Sequence, residues 1–228
     1  MVIESLILTL EIAIIATFIN IPISFLCAVI ATRSNNETAK FLIDIIVSLP
    51  LVLPPVVLGY FLLITFSPSG LIGGILDALG FEIVFTKFAA VLACALVSFP
   101  LMSRAFIISI QSVNKDLEKI ARSLGSSNIN TFFTITIRES KFGISGGILL
   151  GFARALGEFG ATIIFAGNIE GVSRTIPLAI FQSIQTGDDQ NLTLLILCSV
   201  ILGILSVFIN NILIQRSKKI NEFNKYKY

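Results

Sequence analysis

The stretch GILLGFARALGEFGATIIFAGNIEG, residues 147–171, is apolar enough to lie in a membrane, yet it carries Arg154 and Glu158 near its middle. A charged side chain in hydrocarbon is costly, so such residues face a bundle interior or a wet cavity and pair with one another. These two residues are four apart and share a face of a helix, where they can pair. The stretch therefore predicts a membrane helix with an internal ion pair.

The composition also indicates a membrane protein. Of the 228 residues, 55% are hydrophobic and 13% are charged, whereas a soluble domain has about 25% charged residues. The chain has no His, and its three cysteines, Cys27, Cys94 and Cys198, lie far apart inside apolar runs. We therefore expect neither a catalytic site nor a metal site. The small net charge of +2 gives no reason to expect a nucleic-acid partner.

Five apolar segments reach the length of roughly 20 residues that a spanning helix needs. They are about Ser5–Ala31, Phe41–Phe66, Phe88–Ile110, Phe142–Ala166 and Leu192–Ile214. The predicted fold class is an all-α integral membrane protein with five transmembrane helices. It forms one domain over residues 1–228, with its core at about 5–214.

The positions of Lys and Arg predict the orientation. Most of these residues lie between the first and second segments, around the connection between the third and fourth, and in a basic tail at residues 215–228. The other side has only Lys87 and Arg174. Because cytoplasmic loops carry the excess of positive charge, the N-terminus is predicted to lie outside and the C-terminus in the cytoplasm.

The polar connection VNKDLEKIARSLGSSNINTFFTITIRES, residues 113–140, predicts two short amphipathic helices. Lys115 to Leu124 forms the first, and Gly125 ends it because glycine tolerates a positive φ. A second helix follows, capped from within residues 126–128. Such a pair can dock into a partner's groove, or it can lie on lipid as an interfacial helix. The pattern alone favours neither interpretation.

This connection resembles the cytoplasmic coupling loop of ABC importer permeases, and we call residues 113–140 the coupling loop. In that family Glu-Ala-Ala is followed after three residues by Gly, and after nine more by Ile-x-Leu-Pro. Ala121, Gly125 and Ile135 match at that spacing. Several positions depart from the pattern: Lys119 and Ile120 replace Glu and Ala, Glu118 stands one position early, and Ile137 and Arg138 replace Leu and Pro. The resemblance implies contact with an ATPase through Glu118, Ala121, Arg122, Leu124, Gly125 and Ile135.

Other segments resemble the molybdate-transporter permeases, so that the likeness covers nearly the whole chain. They are LPLVLPPVVLGYFLL at residues 49–63, VSFPLMSRAF at 97–106 and FARALGEFGATIIFAGNIEGVSRTIPLAIF at 152–181. Sulfate permeases have a similar ARALGEFG core, but the ATIIFAGNI that follows and the five-span chain favour molybdate or tungstate.

The resemblance implies a type I ABC importer in the cell membrane. Its permease would be a homodimer with the pathway at the two-fold axis, two cytoplasmic ATPase subunits beneath and an extracytoplasmic substrate-binding protein above. Closure of the ATPase dimer on ATP would be passed through the coupling loop to open the outer gate. The sequence has no GxxxxGK[ST] motif, so ATP and Mg are expected in the partner and no cofactor in this chain. The chain is therefore expected to be a transport subunit and not an enzyme.

The pathway and gate candidates are Pro54, Pro55, Arg154, Glu158, Gly157 and Gly160. The prolines interrupt a helix, and the glycines permit either close packing or a pivot. The ion pair either lines the pathway and opens with the gate, or ties its helix to a neighbour. A fixed cation on the path of a dianion would trap it, which favours the second role.

Two other classes of function fit the sequence less well. A membrane enzyme is disfavoured, because the only intramembrane acids are Glu11, Asp44 and Glu158, on three different helices and with no His nearby. A channel or a gradient-driven transporter fits the composition, but it would leave the coupling loop without a partner. The sequence does not separate molybdate from tungstate or sulfate.

Overall fold

The chain is all-helical in a computed structural model, which describes the backbone of residues 1–225 and the side chains of residues 1–212. Within this part no strand is present. The helices are α1 (Val2–Arg33), α2 (Glu37–Val52), α3 (Pro55–Phe66), α4 (Gly73–Ala78), α5 (Lys87–Gln111), α6 (Lys115–Ser123), α7 (Asn128–Thr131), α8 (Ile137–Leu156), α9 (Gly160–Phe165), α10 (Ile176–Thr186) and α11 (Asp189–Lys225). A π-helical turn, Phe132–Thr136, joins α7 to α8.

Three predicted spans, the first, third and fifth, are single helices. α1, α5 and the part of α11 from Asp189 to Ile212 are each long and apolar enough to cross a membrane. The predicted basic tail at residues 215–228 has its side chains outside the described residues.

The second predicted span, Phe41–Phe66, is not one helix. It is broken into α2 and α3, whose axes differ by 112°. The break falls at Leu53 and Pro54, where Pro54 and Pro55 supply no N–H and the residue before a proline is pushed out of the helical region.

The fourth predicted span, Phe142–Ala166, is also interrupted. α8 ends at Leu156 and α9 begins only at Gly160. Two glycines within four residues weaken the helix here, since each costs up to about 1 kcal/mol relative to alanine. Because the bent α2–α3 pair raises the count of candidate spans to four at most, the five-span topology and the orientation of the termini are not confirmed.

α5 lies at the centre of the bundle and packs against α1 and α8. Its contact with α1 is held by polar groups as well as by small apolar residues. The buried Asn20 amide donates to the Ala95 carbonyl at 2.9 Å and to Ser98 Oγ at 3.0 Å. Ser103 Oγ donates to Ser24 Oγ at 3.0 Å. Interhelical hydrogen bonds of this kind satisfy polar groups that would find no water in hydrocarbon.

α3 and α9, the second halves of the two broken spans, pack directly on each other. Their closest approach is at Gly59, where a Cβ atom would lie 2.7 Å from the Ala161 carbonyl oxygen and 2.8 Å from its Cα. Only glycine fits this contact, because the obstructing atoms are backbone.

We predict that Gly59→Ala destabilises the fold by about 1–3 kcal/mol, the usual cost of forcing extra volume into a packed contact. Gly203→Ala in α11 is the control, because nothing lies within 4 Å of the Cβ that it adds. Thermal unfolding of the purified chain in detergent measures both. Equal stability of the two variants would contradict the close contact between α3 and α9.

Candidate functional site

The coupling loop folds as two short helices around a glycine elbow, as predicted. Asn114 caps the start of α6, because its side-chain oxygen accepts the Asp116 N–H at 2.9 Å. Gly125 has a φ of 90°, a conformation that glycine adopts at little cost. Ser127 caps α7, its hydroxyl accepting the Asn130 N–H at 3.2 Å. Local residues therefore determine the shape of the loop.

One face of α6 is apolar and exposed. Leu117, Ile120 and Leu124 lie on it, and Leu124 is 84% exposed. Ala121 lies half-buried on the same helix. Contiguous exposed apolar side chains usually mark an interaction site, so this face of α6 is available to a partner. Of the other predicted coupling residues, Arg122 and Gly125 are exposed and Ile135 is half-buried in the π-helical turn.

Glu118 points the other way and is the only buried residue of α6. It is 4% exposed, and Arg33 at the end of α1 binds both of its carboxylate oxygens. Nη1 of Arg33 donates to Oε2 at 2.7 Å, and Nη2 contacts Oε1. Thr136 Oγ1 also donates to Oε1, at 2.6 Å. In this structure the Glu118 carboxylate is therefore occupied within the chain, and its contact with an ATPase stays a prediction.

Arg33 and Thr136 are functional candidates that the sequence did not reveal. Arg33 is 85 residues from Glu118 and contributed only to the prediction of orientation. No local pattern links the two residues, because two predicted spans separate them in the chain.

The hydrogen bonds from Arg33 hold the pKa of Glu118 below its ordinary value of 4.5. Burial acts in the opposite direction, and the Thr136 hydroxyl adds to the lowering. Because the folded-state pKa is depressed, the interaction stabilises the fold fully above pH 4.5. The stabilisation is lost as the pH falls through the folded-state pKa, below 4.5.

The pathway candidates come together where the two broken spans meet. At Gly160 a Cβ atom would lie 3.0 Å from Pro55 Cβ, so the start of α9 contacts the start of α3. Pro54 and Gly157 are exposed beside this contact. Broken helices that meet inside a membrane protein are a common setting for substrate sites, because their free backbone groups face a cavity or a neighbour.

The ion pair predicted from the sequence lies at this junction. Arg154 Nη1 lies 2.8 Å from Glu158 Oε2, and Glu158 Oε1 accepts the Ala161 N–H at 2.8 Å. Glu158 is 2% exposed, whereas 30% of the Arg154 side chain is exposed. Glu158 therefore caps α9 and stabilises the break, while the Arg154 side chain stays partly exposed. Both roles predicted for the pair stay open.

Residues 20–219 match a protein family, described as the binding-protein-dependent transport system inner membrane component. The chain belongs to this family. With its several apolar helices, this family member is a multi-pass membrane component of a transport system.

Two curated relatives resemble the family member along most of its length. The molybdenum transport system permease protein ModB of Haemophilus influenzae is 41% identical over 96% of each chain. The probable sulfate transport system permease protein cysT of Mesostigma viride is 36% identical over 89% of this chain and 74% of the relative.

A solved structure shows the same fold. A chain of the MetNI methionine ABC transporter, in inward-facing conformations, superposes with a TM-score of 0.69. The superposition covers 95% of this chain and 94% of that chain at 16% identity. The likeness shows that the family member has the fold of an ABC transporter chain.

We predict that the wild type is more stable than Glu118→Gln at neutral pH and that this advantage declines only below pH 4.5. Chemical unfolding of both proteins across pH measures the difference. Glu37→Gln is the control, because Glu37 forms only an exposed pair with Lys40, and such pairs contribute little. An advantage that fades already near neutral pH would contradict the lowered pKa.

For the junction we predict that Glu158→Ala destabilises the fold more than Glu158→Gln does, by about 1 kcal/mol. Glutamine keeps an acceptor for the Ala161 N–H and loses only the charge pair, whereas alanine loses both. Arg154→Gln removes the pair and leaves the cap intact. Thermal unfolding that ranks alanine and glutamine equally at position 158 would show that the cap does not matter.

Proposed function

We propose that this chain is the permease subunit of an ATP-driven importer of molybdate or tungstate. The observation that carries the proposal is the 41% identity to a molybdenum transport permease along 96% of both chains. The exposed apolar face of α6 supports it, since an ATPase that drives transport needs a docking surface on the permease. The relatives are named as transport permeases, so we propose a transport subunit and not an enzyme.

The assembly that we propose has two copies of this chain, two cytoplasmic ATPase subunits and an extracytoplasmic binding protein, in the inner or plasma membrane. ATP and Mg would be bound by the ATPase subunits. A single copy encloses little volume, and a second copy would complete a pathway beside the broken spans. Exposed apolar residues on α2 and α3, among them Leu49, Val52, Tyr60 and Ile64, are available to that copy.

Charges at the two ends of the bundle support the predicted orientation. Arg33, Lys40 and Arg104 lie toward the end that bears the coupling loop, which would be cytoplasmic. Lys87 and Arg174 lie at the opposite end and line one cavity of about 290 Å³ together with Glu4, Glu11 and Glu170. In the proposal all five predicted segments cross the membrane, with the N-terminus outside.

The transport cycle would be alternating access. ATP binding closes the ATPase dimer, the coupling loop moves with it, and the junction of the broken spans opens outward. Arg154 is a cation at that junction. Its pairing with Glu158 keeps its hold on a dianion weak, as conduction requires.

Sulfate is the second candidate substrate, because a probable sulfate permease is 36% identical to this chain. Molybdate, tungstate and sulfate are tetrahedral dianions of similar size, so a pathway of hydroxyls and backbone groups would distinguish them poorly. Selection is then expected mainly in the binding protein.

The test is ATPase activity of this chain coexpressed with the ATPase encoded beside it and reconstituted in lipid. The binding protein is added after loading in turn with molybdate, tungstate or sulfate. Stimulation by one loaded form supports the importer and identifies its anion. Absence of a copurifying ATPase would favour a channel or a gradient-driven transporter instead.

We predict that Leu124→Asp lowers the amount of copurifying ATPase about tenfold or more, since a tenfold change corresponds to about 1.4 kcal/mol and a residue at the centre of an interface can contribute about 2 kcal/mol or more. Leu71→Asp is the matched control, because Leu71 is 89% exposed and lies outside the coupling loop. Quantitative pull-down through a tag on this chain measures both. Equal loss in the two variants would mean that α6 is not the docking surface.

A further inference from the structure

Three parts of the chain that are distant in sequence meet at Arg33. Its guanidinium holds Glu118 of α6 through both carboxylate oxygens, and Nη2 also donates to Thr136 Oγ1 at 3.2 Å. Thr136 is the last residue before α8. We call Arg33, Glu118 and Thr136 the clamp. It connects the end of α1, the exposed helix of the coupling loop and the start of α8.

The clamp attaches the buried side of α6 to the bundle. Glu118 is the only residue of α6 that is buried, and the helix contacts the rest of the chain mainly through α7 and the π-helical turn. Beside the clamp, a groove of about 810 Å³ separates the coupling loop from α1. A displacement of α6 therefore reaches α1 through Arg33.

The geometry makes this attachment stiff. A guanidinium that binds a carboxylate through two parallel hydrogen bonds fixes both distance and orientation. Glu118 is nearly inaccessible to water, so separating the pair would leave a buried charge without compensation. The exposed pair Lys119–Asp116 on the same helix has neither property.

α1 connects the clamp to the opposite end of the bundle. It is continuous from Val2 to Arg33, and the helix between Thr9 and Arg33 is roughly 36 Å long. Near its start, Thr9 Oγ1 accepts the N–H of Ile176, the first residue of α10, at 2.8 Å in a buried hydrogen bond. Glu11 pairs with Lys87 at the start of α5. Both ends of α1 are thus attached to elements that would move during transport.

We propose that Arg33 is a positioning residue for coupling, which transmits displacement of the coupling loop to α1 and, through α1, to α10 at the outer end. The inference rests on the proposed function, because it takes α6 as the docking helix of an ATPase. It adds a second route of transmission to the direct one through α8. Arg33 contacts neither ATP nor the transported anion in this role.

The experiment uses the complete transporter in proteoliposomes, with its ATPase and its loaded binding protein. Basal ATPase activity, its stimulation by the binding protein, and anion uptake per ATP hydrolysed are measured for Arg33→Gln, Glu118→Gln and the double variant. We expect assembly and basal ATPase activity to persist in Arg33→Gln, while stimulation and uptake per ATP fall at least fivefold in all three variants. The double variant should lose no more than either single one, because the two residues act as a unit.

Two further variants keep the test decisive. Lys40→Gln removes a cation on the same side, from an exposed pair with Glu37, and should behave as the wild type. Arg33→Lys keeps the charge but not the two parallel hydrogen bonds, and it guards against a failure of Arg33→Gln to assemble. Its stimulation should lie between that of the wild type and that of Glu118→Gln.

The outcomes separate the two proposals. Wild-type stimulation in an assembled Arg33→Gln or Arg33→Lys transporter would overturn the role of Arg33, as would additive losses in the double variant. Lower thermal stability with unchanged uptake per ATP would mean that the clamp only holds the fold together, and would overturn it too. If the wild-type chain itself shows no stimulation by any loaded binding protein, the proposed function fails.

Discussion

Every polar group that the membrane helices bury must find its partner within the protein, because hydrocarbon offers none. The two broken spans meet this requirement at the junction that they form. The Ala161 N–H, in the first turn of α9, donates a hydrogen bond to Glu158, and Arg154 balances the Glu158 charge. The contact of α3 with α9 then shields the interrupted backbone. A permease can keep such breaks only where another element covers them.

The long unbroken helices could be predicted from the sequence, and the prolines indicated an interruption at residues 54 and 55, whereas the size of the bend there and the end of α8 at Leu156 could not be predicted. α1 and α5 follow from apolar runs that exceed the thickness of the hydrocarbon. The run Phe41–Phe66 is as apolar, and hydropathy averaged over a window does not register the loss of a few hydrogen bonds at Pro54 and Pro55. The bend of 112° between α2 and α3 depends in addition on contacts such as Gly59 with Ala161, which are more than 100 residues apart.

In the coupling loop, the sequence predicts the local backbone structure but not the contacts of every side chain. Its helices, elbow and cap are determined by neighbours in sequence, so Gly125 and the capping serine could be anticipated. The helical period of Lys115 to Leu124 also predicted that the first helix has an apolar face. It did not reveal that Glu118 faces inward, because that orientation depends on Arg33, which lies 85 residues away. Patterns along a helix show which residues share a face, but not what covers that face.

The separation of Arg33 from Glu118 has a consequence for biogenesis. When the ribosome has completed α1, Arg33 has no carboxylate to bind, since α2 to α5 and the first turn of α6 are still to be made. The proposed docking surface for an ATPase is therefore held in place only after the central helix α5 and the π-helical turn that contains Thr136 have been made. A chain that stops before Thr136 lacks the complete clamp, so an ATPase that requires it could engage the permease only after the third predicted span has been synthesised.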